Sequence, residues 1–152
     1  MPFDPFETLP IGSTGVSVTR LGFGTAPIGG LYRAVTDEEG QAISTHAWDI
    51  GVRYFDTAPM YGFGLAEQRV GAVLRTKPRD AFTISTKVGR LVREASGDDL
   101  LYTGGFHGIG NNRDVWDFSR DGVNRSIEES LERLGLDRVY IVFMHDPDVK
   151  DL

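Results

Sequence analysis

Three ionisable side chains directly follow hydrophobic, strand-like segments of the sequence. Asp56 follows VRYF, Lys87 follows AFTIST and His145 follows RVYIVFM. A tyrosine, Tyr61, lies five residues after Asp56, on a segment whose proline and glycine predict a turn. The four side chains are a carboxylate, an ammonium, an imidazole and a phenol. Groups of these types bind and transfer protons.

This combination predicts one kind of chemistry. A free phenol has a pKa of about 10, too high for efficient proton transfer at neutral pH. A lysine ammonium beside a phenol favours the phenolate, and an aspartate beside the lysine keeps the ammonium charged and in place. A histidine can orient a carbonyl or alcohol oxygen. We therefore expect an acid/base site for carbonyl reduction or alcohol oxidation, with the hydride exchanged with a nicotinamide cofactor.

Helix signals separate the strand-like segments. The pair Thr36 and Glu39 forms a capping box before a first helix, and Gly51 ends that helix. A third helix is expected from Ser119 to the stop at Gly135. The predicted buried faces are Ile43, Ala47 and Ile50 in the first helix, Ala66, Val70, Val73 and Leu74 in the second, and Val123, Ile127, Leu131 and Leu134 in the third.

The order of the elements predicts the fold class. After an N-terminal hairpin around residues 12–15, strands are expected over 21–23, 52–55, 81–86 and 138–144, with the helices between them. The last of these strands is so apolar that burial on both faces is expected. Alternating β and α units form a parallel sheet, either doubly wound or closed into a (β/α)₈ barrel. In both architectures the carboxyl ends of the strands lie on one face, where ligands bind.

The segment 88–118 has no clear helix or strand in this interpretation. It contains LYTGGFHGIGNN, and we expect a long active-site loop, since loops of this length are usually lids or binding loops. Its histidine, His107, is a candidate for gating substrate access.

The motifs resemble a known family. The segments FDTAPMYG, STK and MHDPD, in this order, resemble the aldo-keto reductases. The segments LGFGTAPIGG and FSRDGVNRSIEESLERLGLDRVYIVFMHDPD resemble the branch of L-fucose, D-threo-aldose 1- and pyridoxal dehydrogenases. The resemblance extends from about residue 9 to the end of the chain. It implies a (β/α)₈ barrel, with Tyr61 as proton donor and acceptor, Lys87 and Asp56 tuning it, and His145 orienting the substrate oxygen.

The resemblance also implies a cofactor, NADP or NAD. Gly24, Thr25 and Asp56 correspond to positions near its nicotinamide. The expected substrate is a small sugar or aldehyde, with a fucose-like aldose oxidised at C1 as the leading candidate. Another aldose and pyridoxal stay open, as does the choice between the two cofactors.

Barrels of this kind need about 250 residues, and the chain has 152. We therefore expect one domain over residues 1–152, formed by the hairpin and about the first four β/α units, the N-terminal half of a barrel. Because such a half has open sheet edges, we expect it to associate with another copy or with a C-terminal half.

Composition narrows the function classes. The net charge of −6 and the absence of a basic run argue against nucleic-acid binding. The chain has no cysteine, which excludes disulfides and thiolate metal sites and fits a cytoplasmic location. No apolar run is long enough to span a membrane, and the N-terminus does not resemble a signal peptide.

Two alternatives stay open. A metal-dependent barrel hydrolase could use Asp56, His145, Asp146 and Asp148 as ligands. It is less favoured, because no second histidine has ligand spacing and Lys87 would repel a cation. Alternatively, the chain is a truncated, non-catalytic module that binds a partner.

Overall fold

A computed structural model describes residues 3–149. The helices are α1 (Asp37–Asp49), α2 (Leu65–Leu74) and α3 (Arg120–Leu134). In chain order the strands are β1 (Thr8–Pro10), β2 (Ser17–Thr19), β3 (Phe23–Gly24), β4 (Tyr54–Asp56), β5 (Thr83–Val88), β6 (Arg90–Glu94), β7 (Asn112–Trp116) and β8 (Ile141–Met144).

One parallel sheet organises the described part of the chain. It has the order β3-β4-β5-β8, while β1 pairs with β2 and β6 with β7, each pair antiparallel. The order of the parallel strands follows the chain without a reversal. A doubly wound sheet reverses its order at a switch point, whereas a β/α barrel does not. The topology is therefore that of consecutive barrel units preceded by a hairpin.

The helix ends follow their local sequence signals. Thr36 caps α1, since its hydroxyl accepts a hydrogen bond of 3.2 Å from the backbone N–H of Glu39. Ser119 caps α3 in the same way, since its hydroxyl accepts a hydrogen bond of 3.1 Å from the backbone N–H of Gly122. Gly135 ends α3 with φ +64°, a conformation that costs glycine little. The predicted caps and stops are confirmed.

The predicted buried faces are correct for α2 and correct only in part for the other two helices, where Ala47 and Leu134 are buried as expected. In α1, Ile43 and Ile50 are exposed, and in α3 Val123 and Ile127 are only half-buried. The buried positions are mainly small: Gly40, Ser44 and Ala47 in α1, and Gly122, Ser126, Ser130 and Leu134 in α3. Small residues let neighbouring elements approach closely, and this close packing decides which face is buried.

The contact between α2 and α3 is particularly tight. A Cβ atom placed on Gly71 would lie 2.3 Å from the carbonyl oxygen of Leu134. Leu134 and Leu74 are fully buried there and join Phe55 and Ile84 of the sheet in the main core. The core thus fixes the outer face of β4 and β5, the strands that carry two of the predicted site residues.

Strand boundaries differ from the predictions by about two residues. The sheet part of the first parallel strand is 23–24 rather than 21–23, and β5 continues to Val88 so that it includes Lys87. The last strand is not buried on both faces. Val142, Phe143 and Met144 are 41%, 45% and 53% exposed, because β8 is an edge of the described sheet and pairs only with β5.

The predicted loop over 88–118 is largely ordered by pairing. Strands β6 and β7 form an antiparallel ribbon in which Arg90 faces Trp116 and Glu94 faces Asn112. The segment between them is held to the β3–α1 connection, where the N–H of His107 donates 2.9 Å to the carbonyl of Gly30. The prediction of a loop was therefore wrong for residues 90–94 and 112–116, because the backbones of these two segments pair with each other as antiparallel strands.

Candidate active site

An ion pair lies at the carboxyl ends of β4 and β5. The Lys87 ammonium donates two hydrogen bonds, one of 2.7 Å to Oδ2 of Asp56 and one of 3.0 Å to the carbonyl oxygen of Thr57. The hydroxyl of Ser85 donates 2.6 Å to the other carboxylate oxygen of Asp56. Because both oxygens of the carboxylate are engaged, Asp56 holds the ammonium in one position.

The phenol and the imidazole lie beside this pair. The Lys87 nitrogen is 4.6 Å from the centroid of the Tyr61 ring. The rings of Tyr61 and His145 meet edge to face, with centroids 5.7 Å apart and planes at 89°. The structure therefore brings together the four residues that the sequence singled out, from three strand ends and one connecting turn.

His145 is held in a buried, uncharged environment. It directly follows β8, and its backbone N–H donates a hydrogen bond of 2.9 Å to the carbonyl oxygen of Val88. The residue is only 6% exposed. Burial, and then the positive charge of Arg90, lower the pKa of His145 from 6.5 to about 4, against the opposing effect of Asp146. Within residues 3–149 its Nδ1 is buried without a hydrogen-bond partner. The imidazole is neutral at physiological pH.

Sequence reasoning missed the groups behind His145. Arg90 contacts Asp114 and Asp146, and its guanidinium carbon lies 3.8 Å from the ring centroid of Trp116. All but Asp146 belong to the ribbon that the sequence interpretation treated as a loop. Neither GRLVRE nor NNRDVW alternates apolar and polar residues, so the sequence carried no period-two signal for these two strands.

The predicted cofactor positions border the ion pair. Gly24 faces Asp56 across the β3–β4 ladder and is exposed, and a Cβ atom there would meet nothing within 4 Å. The Thr25 side chain is fully buried, and its hydroxyl has no partner among residues 3–149. Its N–H donates 3.0 Å to the carbonyl of Asp56. The open surface at Gly24 beside the Asp56 carboxylate has space for a flat ring, and the cofactor role of Gly24, Thr25 and Asp56 stays a prediction.

The alternative metal site finds no support in the arrangement of donor residues. In the described part of the chain, no three histidine, aspartate or glutamate residues are grouped so that they could hold a metal ion. Asp56 is engaged by Lys87 and Asp146 by Arg90.

None of the helices within residues 3–149 has both the length and the hydrophobicity of a membrane-spanning segment.

Consecutive parallel β/α units with ionisable groups at the carboxyl ends of the strands define a protein of the β/α-barrel class. Residues 20–151 match the model of the Aldo/keto reductase family, and the chain belongs to this family. The predicted family and barrel architecture are thereby confirmed.

Three relatives are particularly similar. D-threo-aldose 1-dehydrogenase of Pseudomonas sp is 48% identical over 143 residues, which cover 92% of this chain and 44% of the relative. Pyridoxal 4-dehydrogenase of Microbacterium luteolum is 46% identical over 149 residues, which cover 92% of this chain and 43% of the relative. The holo form of an aldo-keto reductase from Bacillus halodurans has a TM-score of 0.69 at 25% identity, and the match covers 95% of this chain and 43% of that protein. The chain thus spans less than half of the length of each relative.

Proposed function

We propose that this chain supplies the acid/base site of an NAD(P)-dependent oxidoreductase that oxidises an aldose at C1 or interconverts a small aldehyde and its alcohol. One observation carries the proposal. The ammonium of Lys87 lies between the Asp56 carboxylate, at 2.7 Å, and the Tyr61 ring, at 4.6 Å from its centroid. Positive charge fixed in this position favours negative charge on the phenol oxygen.

Tyr61 is the proposed proton carrier. In the oxidative direction its phenolate accepts the proton of the substrate hydroxyl, and in the reductive direction its hydroxyl donates a proton to the carbonyl oxygen. Bound NADP or NAD accepts or supplies the hydride. Lys87 stabilises the phenolate, and Asp56, fixed by Ser85, keeps Lys87 in place.

His145 is proposed to orient the substrate oxygen. A neutral imidazole can donate one hydrogen bond without releasing a proton. With a pKa of about 4, His145 remains neutral at physiological pH.

The names of the relatives guide the substrate class. D-threo-aldose 1-dehydrogenase supports an aldose, and pyridoxal 4-dehydrogenase supports an aromatic aldehyde or alcohol. We favour the aldose, with a fucose-like sugar as the first candidate. A cytoplasmic location is part of this proposal and fits a cysteine-free composition.

The direct test is an assay of the complete polypeptide in which this chain occurs. L-fucose, a second aldose and pyridoxal are each supplied with NAD or NADP, and formation of the reduced cofactor is followed by absorbance. We expect turnover of one sugar that resists treatment with EDTA. Turnover lost with EDTA would contradict the metal-free acid/base mechanism, and cofactor binding without turnover of any of these compounds would contradict the proposed substrate class.

A second candidate is a non-catalytic module that binds a partner, and the exposed apolar edge at β8 favours it. Failure of the complete polypeptide to bind either cofactor would support this candidate. Binding with turnover would remove it.

A further inference from the structure

A buried guanidinium lies behind the candidate site. Arg90 begins β6, and its side chain is 6% exposed. Its Nη2 donates 2.7 Å to Oδ2 of Asp146, and its Nη1 donates 3.2 Å to Oδ2 of Asp114. The face of Trp116 lies against the guanidinium, 3.8 Å from its central carbon. Two carboxylates and an aromatic ring therefore fix both the position and the plane of this group.

One carboxylate oxygen is shared by two possible partners. Oδ2 of Asp146, which accepts the 2.7 Å bond from Arg90, also lies 3.7 Å from Nε2 of His145. The longer distance is beyond hydrogen-bonding range. Asp146 has φ +47°, an uncommon conformation for a residue with a side chain. The backbone thus places this carboxylate between the guanidinium and the imidazole, and the guanidinium binds it.

We propose that Arg90 is a positioning residue that binds the carboxylate of Asp146 and thereby keeps it from accepting a hydrogen bond from Nε2 of His145. The imidazole is then left free to orient a substrate oxygen beside the phenol. The inference rests on the proposed oxidoreductase function, since it assigns Arg90 a role in that reaction. Arg90 contacts neither the phenol nor the ammonium of the site, so it acts through His145.

Charges facing His145 from each packed element agree with this role. Arg90 of β6 and Lys87 of β5 are positive, whereas Asp146 and Asp56 of β4 are negative. Burial and the two cations lower the pKa of His145, and the two carboxylates raise it. Loss of Arg90 would remove one cation and release one carboxylate, and both changes favour the imidazolium. A charged imidazole would be a second proton donor in competition with Tyr61.

The test is a pH titration of the histidine ring nitrogens by NMR in four proteins: the wild type, Arg90→Gln, Asp146→Asn and the double variant. Asparagine tolerates a positive φ, so the second substitution keeps the backbone. We expect a pKa of about 4 for His145 in the wild type and a clearly higher value in Arg90→Gln, with burial of the ring still opposing the imidazolium. In the double variant the value should fall well below that of Arg90→Gln, because the released carboxylate is gone.

The four proteins separate positioning from loosened packing. If Arg90 merely supports the fold, its loss raises the pKa equally with and without Asp146. Equal values in Arg90→Gln and the double variant, or an unchanged value in Arg90→Gln, would overturn the inference. The coupling between the two substitutions is therefore the decisive quantity.

A second pair of variants covers the case in which Arg90→Gln does not fold. Lysine keeps the charge but presents one compact head group, and we expect it to stay with the more deeply buried Asp114 and release Asp146. Arg90→Lys should then raise the pKa of His145, and adding Asp146→Asn should reverse the rise. The titration needs no turnover, so its result is independent of whether the proposed reaction occurs. The proposed function would fail separately, in the cofactor and substrate assays.

Discussion

Asp56 and Lys87 come from adjacent parallel strands and form a 2.7 Å ion pair in which the ammonium is also 4.6 Å from the Tyr61 ring centroid. The side chains are partly shielded from solvent, with 28% and 14% exposure. The pair is therefore arranged to fix a charge at the phenol. Its contribution to stability is secondary, since partly exposed ion pairs stabilise proteins only modestly.

Replacement of Asp56 by Asn should impair catalysis more than folding. An asparagine keeps the shape and can still accept the bond from Ser85, but it no longer fixes the charge of Lys87. We expect kcat of the complete polypeptide to fall by roughly 10²-fold or more. Steady-state kinetics measure the change. Asp80→Asn, which removes an exposed carboxylate paired with Arg138, is the matched control and should leave kcat within about twofold. Similar effects of the two substitutions would argue against the role given to Asp56.

His145 should make stability depend on pH. Its folded pKa is about 4 and its ordinary value is 6.5. As the pH falls between these values the unfolded chain binds a proton that the folded chain does not, so the free energy of unfolding decreases. The loss should be on the order of 3 kcal/mol by about pH 4. Urea unfolding across this range in His145→Gln should show a correspondingly flatter dependence.

The matched control for this experiment is His107→Gln, since the side chain of His107 is exposed. It should keep the slope of the wild type. Carboxylates that titrate in the same range contribute equally to all three proteins and cancel in the comparison. An identical slope in His145→Gln and the wild type would mean that His145 is not held neutral by the fold.

The tight α2–α3 contact makes a specific prediction for Gly71. Alanine usually favours a helix over glycine, but a Cβ atom here would lie 2.3 Å from the Leu134 carbonyl oxygen. We expect Gly71→Ala to lower the free energy of unfolding by about 1–3 kcal/mol. Gln68→Ala, at an exposed position of the same helix, should change it by less than about 0.5 kcal/mol. A stabilised Gly71→Ala variant would show that the helices can separate without cost.

The edge strand β8 should promote self-association of the 152-residue chain. Among residues 3–149, one edge of β8 has no paired strand, and three of its apolar side chains are exposed: Val142, Phe143 and Met144. This combination favours pairing with the edge of a second copy. Sedimentation velocity should show dimers or larger species whose fraction falls in Val142→Lys. Val149→Lys, exposed but outside the strand, should not reduce it. A monomer at all concentrations would contradict the prediction.

Local signals predicted the helix ends, and the order of the parallel strands predicted which ionisable side chains lie close together. Packing decided the buried helix faces and the ribbon of β6 and β7. Thr36 and Ser119 could be identified as caps because a cap depends on residues a few positions away. Asp56, Lys87 and His145 could be grouped because parallel strands end on one face, whatever their separation in sequence. Apart from Ala47, the buried face of α1 could not be predicted, since the close approach of Arg69 to Gly40 favours small residues there over Ile43. Arg90 was missed because its setting depends on the pairing of β6 with β7.

Whether Tyr61 carries the proton is measured most directly by kcat of Tyr61→Phe in the complete polypeptide. Phenylalanine keeps the ring contacts with His145 and Phe106 and removes only the hydroxyl. We expect kcat to fall by about 10²–10⁴-fold while the cofactor still binds. The control Tyr32→Phe, at an exposed position, should keep the kcat of the wild type. Turnover by Tyr61→Phe at the rate of the wild type would contradict this role of Tyr61.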